Sequence, residues 1–304
     1  MHSAQRLRRR SRYFSRILTG ALCSLCLASA SSAASPKALE LKWNFLISDP
    51  LVYSIDQEIK TQLDQLDTAT GEWKKTPVSD ERIDGHLYLN PTGDGKSRCD
   101  LILELKESRN KNRATPLPPE QFLPQLVARF ILGNDGGIED YAGGSVQETY
   151  LFLRLILGLP TKALREHEGR IVPLELYTQG QTTDLSLVGS VIHELDGFET
   201  VDGLLCARIK CQISLASRLD RQNREGSVNW KGDATVYWAI EPMRLQRSTW
   251  NVGKLVETTE HLTGIPTRIV SIFRIECLYV GNQDPLRLMQ QMTPITPQTP
   301  VPGM

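Results

Sequence analysis

Strict alternation of apolar and polar side chains is the feature that most restricts what this chain can become. In LELKWNFLI, Leu39, Leu41, Trp43, Phe45 and Ile47 fall on one side, and Glu40, Lys42 and Asn44 on the other. An extended strand separates the two sets, because its successive side chains point to opposite faces. The pattern continues with Leu51, Tyr53, Ile55, Ile59 and Leu63 opposed by Ser54, Asp56, Glu58, Lys60, Gln62 and Asp64. It returns at Cys99, Leu101, Leu103 and Leu105, and again at Leu205, Ala207, Ile209, Cys211, Ile213 and Leu215. Each strand so predicted has one buried and one wet face, the habit of antiparallel sheets. Further strands are expected near 82–89, 126–132, 185–195, 233–240, 243–259 and 267–280.

The connections suit hairpins. SDP at 48–50, NDGG at 134–137, DGF at 196–198, VDG at 201–203 and EGS at 225–227 supply the Gly, Asn and Asp that tight turns require. One helix interrupts the strands. Ser145 and Glu148 make a capping box, VQETYLFLRLIL is apolar nearly all round, and Gly158 and Pro160 close it. A helix this apolar needs burial on several sides, and Arg154 and its short length exclude a membrane span. The expected fold is mostly β (α+β), with long-stranded antiparallel meander sheets forming curved half-barrels around a central buried helix. Residues 34–144 form the first meander, 145–160 the helix and its cap, and 161–285 the second meander. The Pro-rich stretch 286–304, ending in TPITPQTPVPGM, has few packing residues and is expected to be disordered.

The first 33 residues have the build of a secretory signal peptide. Six arginines precede residue 17 without an acid, followed by ILTGALCSLCLASA and the small-residue stretch SSAAS. That apolar core of 14 residues falls short of the roughly 20 a spanning helix needs, so removal is expected, after Ala33 or alternatively after Ala30. A leucine before each of Cys23 and Cys26 argues against lipoprotein processing, and Ser11 after Arg9-Arg10 argues against twin-arginine export. The whole chain has 35 basic and 35 acidic residues, and losing those six arginines leaves 29 against 35, a net charge of −6. A mildly acidic surface is unsuited to nucleic acid. The exported chain keeps Cys99, Cys206, Cys211 and Cys277. Cys211 shares a strand face with Ile209 and Ile213, and Cys277 with Phe273 and Ile275. A 211–277 disulfide requires their strands to be neighbours, and buried free thiols are the other reading.

Each chemical candidate has a plainer counterpart. Gly93-Asp94-Gly95-Lys96-Ser97 resembles the end of a phosphate loop, but Asn90 stands where its first glycine belongs and a strand follows, so a hairpin tip is expected. Asp135, Glu139 and Asp140 could hold calcium, although NDGG joining two strands explains them better. His193-Glu194-Leu195-Asp196 lacks the second histidine of a zinc protease, and alternation sends His193 and Glu194 to opposite faces. His193 falls with Leu187, Val191 and Leu195, which makes it a candidate ligand-contacting residue or a core-rim histidine. Glu166-His167-Glu168 reads as a solvated loop, and His86 and His261 have no partner at a useful spacing. No Gly-x-Ser-x-Gly elbow surrounds any serine, and Cys211 sits among apolar residues that would silence it as a nucleophile. The residues nominate no catalytic group, cofactor site or metal site.

The helix ending in Leu159-Pro160, the run HELDGFETVDGLLCARIKCQISL and the later GDATVYWAIEPMRLQRS together resemble exported bacterial β-rich proteins of unassigned function. In pattern they are also similar to the open half-barrels of periplasmic lipoprotein carriers. The resemblance spans residues 38–281. Where many such proteins have a Gly-Asp-x-Trp turn, this chain has Glu168-Gly169-Arg170-Ile171. The resemblance implies a fold and a compartment, periplasmic or secreted, but no reaction. The function expected is binding of an apolar ligand, a lipid or an envelope partner on a curved sheet, without catalysis. The alternatives are an envelope hydrolase using a triad invisible in sequence, and a purely structural envelope component.

Overall fold

The computed structural model describes residues 38–46, 49–110, 117–143, 147–178, 185–221, 224–260 and 264–281. The strands are β1 (Leu51–Leu66), β2 (Trp73–Pro91), β3 (Lys96–Asn110), β4 (Gln125–Gly133), β5 (Ile138–Gly143), β6 (Gly169–Thr178), β7 (Leu185–Val201), β8 (Leu204–Arg221), β9 (Arg224–Ala239), β10 (Arg244–Glu260) and β11 (Pro266–Gly281). One short helix, α1 (Gln147–Leu157), lies between β5 and β6. All eleven strands belong to one antiparallel sheet in the order β5-β4-β3-β2-β1-β11-β10-β9-β8-β7-β6. The two meanders expected as separate sheets are therefore one. They join where β1 meets β11, with Ile55 opposite Cys277 and Ile59 opposite Phe273. Left apart, two 16-residue strands would each present a long row of unpaired backbone groups, and pairing them removes both rows. The sheet is open, with β5 and β6 at its edges.

The alternation read from sequence decides which face carries the core. Tyr53, Leu87, Leu101, Ile209, Trp230, Trp250 and Phe273 are all buried on one side, in a single cluster that also contains α1. The other face carries charge, including the pairs Arg82–Asp56 at 2.7 Å and Arg208–Asp196 at 2.8 Å. Asp202 (φ 50°) and Gly203 (φ 79°) join β7 to β8, and two consecutive left-handed residues make a hairpin turn that matches the twist of the strands. NDGG joins β4 to β5 with Gly136 at φ 79°.

Three expected features differ. Gly226 of EGS lies inside β9 opposite Thr258, and Gly197 of DGF sits at a bulge within β7. Composition marks where glycine is needed, but a bulge or a close strand contact needs it as a turn does. The described part of LELKWNFLI, residues 39–46, is not a strand: Leu41, Trp43 and Phe45 are buried and Glu40 and Lys42 exposed as expected, but the backbone bonds are scattered. Leu39 exchanges bonds with Leu164, Trp43 N donates to Asn134 O, and Asn44 N donates to Met243 O. Alternation reports an extended chain with one side buried, whether or not a ladder forms. Strand β6 has no counterpart in the sequence reading, and β5 only the second strand implied by the NDGG turn. The segments 1–33 and 286–304, together with Ser48, Ser145 and His261, lie outside the described residues.

The buried residues of α1 include Leu151, Phe152, Leu153, Leu155, Ile156 and Leu157. Phe152 meets Trp230 of β9 and Phe273 of β11, with ring centroids 6.0 and 5.1 Å away. Tyr150 stands edge-on to Tyr141 of β5 at 4.9 Å. Glu148 pairs with Lys254 of β10. At the other end Gly158 N donates to Arg154 O, and the indole Nε1 of Trp43 donates to Leu157 O at 3.2 Å.

Cys99, Cys206, Cys211 and Cys277 are buried free thiols. Strands β9 and β10 separate β8 from β11, so the neighbour condition for a 211–277 bridge is not met. Those three strand steps correspond to about 14 Å along the sheet, well beyond disulfide reach. Burial pushes the Cys211 thiol up to about 12 and the Cys99 and Cys277 thiols further still. All four should therefore react with a thiol reagent after denaturation without reductant, and resist it in the native protein. A count of two on the denatured chain would restore a bridge.

Candidate functional site

Alternation along β7 carries Leu187, Val191, His193 and Leu195 to the apolar face, and all four are buried. Opposite His193 across the β7–β8 pair stands Cys211. Such a pair could suggest thiol chemistry, but burial works against it. It raises the thiol and lowers the imidazole to about 4, so both are neutral near pH 7 and no thiolate–imidazolium pair forms. The Nδ1 of His193 is buried without a hydrogen-bond partner. An unpaired polar atom at such depth is costly unless something occupies the space beside it.

That space is a cavity of about 330 Å³ between the C-terminal end of α1 and strands β6 and β7. Leu155, Val172, Leu174 and Val191 give it apolar walls, with His193 and Arg154 as polar groups. Arg154 is half-buried and, among the described residues, has no ion-pair partner. Asp135 also lines the space, but is exposed and accepts a hydrogen bond from Gly137 N at 2.9 Å within its own turn. A second cavity of about 250 Å³ lies at the N-terminal end of α1, where Ile59, Ile83, Leu103, Val127 and Phe152 form its walls. Apolar walls with a few converging polar groups are the usual composition of a ligand pocket.

The low basicity of His193 has a measurable consequence. Its imidazole is neutral in the native protein down to about 4 but protonates near 6.5 when unfolded, so the unfolded chain binds the extra proton between those values. Stability is therefore lost as pH falls from 6.5 toward 4, by a total of about 3 kcal/mol for this one group. Denaturant unfolding at pH 7 and pH 4.5 should show a loss in the native sequence that shrinks in His193→Gln. An equal loss in both would place the acid sensitivity elsewhere.

The other sequence candidates resolve without a site. Gly93 to Gly95 form the tip of the β2–β3 hairpin and Lys96 and Ser97 begin β3, with Asp94 Oδ1 accepting bonds from Lys96 N and Thr92 Oγ1. Among the described residues Asp135, Glu139 and Asp140 do not gather into a ligand set, and Glu139 instead pairs with Lys96 at 2.6 Å. His86 stacks on Tyr88 with ring centroids 6.1 Å apart. His167, Glu194 and Asp196 bring ligand atoms within 4.8 Å of one another on the charged face. Arg208 and Lys210 already hold Asp196 at 2.8 and 2.7 Å and supply the positive charge a cation would bring. The place of Arg154 in the cavity lining went unread in sequence. Its one signal is a lone cation in an otherwise apolar helix.

No known protein family and no curated protein matches the chain. Among solved structures, the in-vitro folded outer membrane protein OmpT of Vibrio cholerae, in its trimer form, overlaps 76% of this chain and 100% of its own. The identity is 9% and the TM-score 0.17, an overlap too slight to transfer fold or function. No helix among the described residues is long and apolar enough to cross a membrane.

Proposed function

We propose that this is an exported, non-enzymatic binding protein that takes an apolar or amphipathic ligand between its curved sheet and α1. The observation that carries the reading is the reach of the helix. Eleven residues make a rod about 16 Å long, whereas eleven strands laid flat span about 48 Å. Yet α1 touches Tyr141 in the edge strand β5 and shares a cavity with Leu174 in the opposite edge strand β6. A sheet curled around the helix meets both conditions. Support for the curl comes from glycines on the inner face: a Cβ at Gly189 would lie 2.0 Å from Ser214 O, and one at Gly232 would lie 2.3 Å from Asn251 O. Backbones approach this closely where a sheet is strongly bent.

The polarity of the two faces supports a water-soluble binder over a lipid-embedded barrel. A membrane barrel turns its apolar residues outward and its polar residues inward. Here the inner face holds Trp230, Trp238 and Trp250, and the outer face carries ion pairs such as Arg82–Asp56 and Arg247–Glu276. Export rests on the signal-like first 33 residues.

The neutral probe N-phenyl-1-naphthylamine, whose emission rises in apolar surroundings, tests the reading on purified mature protein. Saturable binding is expected, and Val172→Glu should abolish it while leaving the far-UV circular dichroism unchanged. Absence of saturable binding, together with specific labelling by a fluorophosphonate, would favour the hydrolase alternative.

A further inference from the structure

We infer that the cavity beside His193 receives the carboxylate end of an amphipathic monocarboxylic acid, held by Arg154 and the His193 imidazole while its first carbons lie against Leu155, Val172, Leu174 and Val191. This inference rests on the proposed binding role and adds the chemistry of the ligand.

Among the described residues His193 Nδ1 lacks a hydrogen-bond partner and Arg154 an ion-pair partner, and one ligand type satisfies both. The Nδ1 of His193 is buried and unbonded, and the neutral imidazole can present an N–H there. Arg154 brings a planar fork of N–H donors with no ion-pair partner among the described residues. A carboxylate accepts from both. An alcohol oxygen could also accept from both, but it would leave the guanidinium charge uncompensated and make only the weaker, neutral kind of bond.

Two nearby negative features set limits on the ligand charge. The C-terminus of a helix carries partial negative charge, but Trp43 Nε1 and Gly158 N already occupy the carbonyls of Leu157 and Arg154 and blunt it. Asp135 is exposed, so water screens it. One full positive charge against these features suits a monoanion better than a dianion such as a phosphate monoester. A volume of about 330 Å³ lies at the small end of ligand pockets, so it accepts a single chain and not a diacyl lipid.

Calorimetric titration of the mature protein with decanoate, 1-decanol and decyl phosphate tests this, with Arg154→Gln and His193→Leu alongside. Decanoate is expected to bind about tenfold more tightly than decanol, because hydrogen bonds to a charged group are the stronger kind. Arg154→Gln should remove that preference, with the loss of affinity falling chiefly on decanoate and the far-UV circular dichroism unchanged. In ¹⁵N spectra, decanoate should shift the His193 ring signals in the native sequence. Equal affinity for acid and alcohol, or a preference that survives Arg154→Gln, would overturn the inference while leaving the binding role standing. Tighter binding of decyl phosphate would overturn the carboxylate assignment. Failure of the neutral probe and all three decyl compounds would remove the binding role itself.

Discussion

Truncating Leu157 to alanine is expected to cost about 2–5 kcal/mol, because the side chain is fully enclosed and its removal adds a cavity to the lost transfer free energy. Leu153→Ala, at 2% exposure, should behave alike. Both side chains belong to the same cluster as Trp230, Trp250 and Phe273, so the loss reports how firmly α1 is packed against the sheet. Denaturant midpoints read it directly. Unchanged midpoints for both variants would mean that α1 is peripheral, and the curled sheet would then need another filling.

Replacing Gly189 with valine should be comparably damaging, at about 3 kcal/mol, the upper end of overpacking costs. The new Cβ would meet Ser214 O at 2.0 Å and Leu215 Cα at 2.8 Å, both backbone atoms of β8 that move only if the sheet unbends. Gly253→Ala is the control. Its Cβ would find Lys231 O at an ordinary 3.6 Å, and the reduced freedom of the unfolded chain favours alanine. Similar midpoints for the two variants would show that the tight approach at Gly189 is relieved without cost, and would weaken the curl.

Most of the long strands were legible in the sequence because one face of each is largely buried and period-two alternation survives between the bulges. The ends of β1 and β11 follow closely from it, whereas β8 runs on from Leu215 to Arg221. What alternation cannot encode is partnership. The pairing of Ile55 with Cys277 depends on residues more than two hundred positions apart, and no local pattern announces it. The same gap left open whether Cys211 and Cys277 lie on neighbouring strands, which the sheet order answers in the negative. Strand β6 went unread: Glu168-Gly169-Arg170-Ile171 stands where the resembling proteins have a turn, and Pro173 is a residue that only an edge strand tolerates. His193 was placed on the correct face by parity alone. Its cavity was not, since Arg154, Leu155 and Val172 reach it from elements that only the fold assembles.

Native mass spectrometry of the mature protein, purified without detergent from the extracytoplasmic fraction, decides whether the space between α1 and the sheet is a binding site. The expected spectrum shows the mature chain plus a bound species that leaves on denaturation, with the adduct diminished in Val172→Glu. A bare mature mass in every preparation, unchanged after incubation with decanoate, would contradict the binding account.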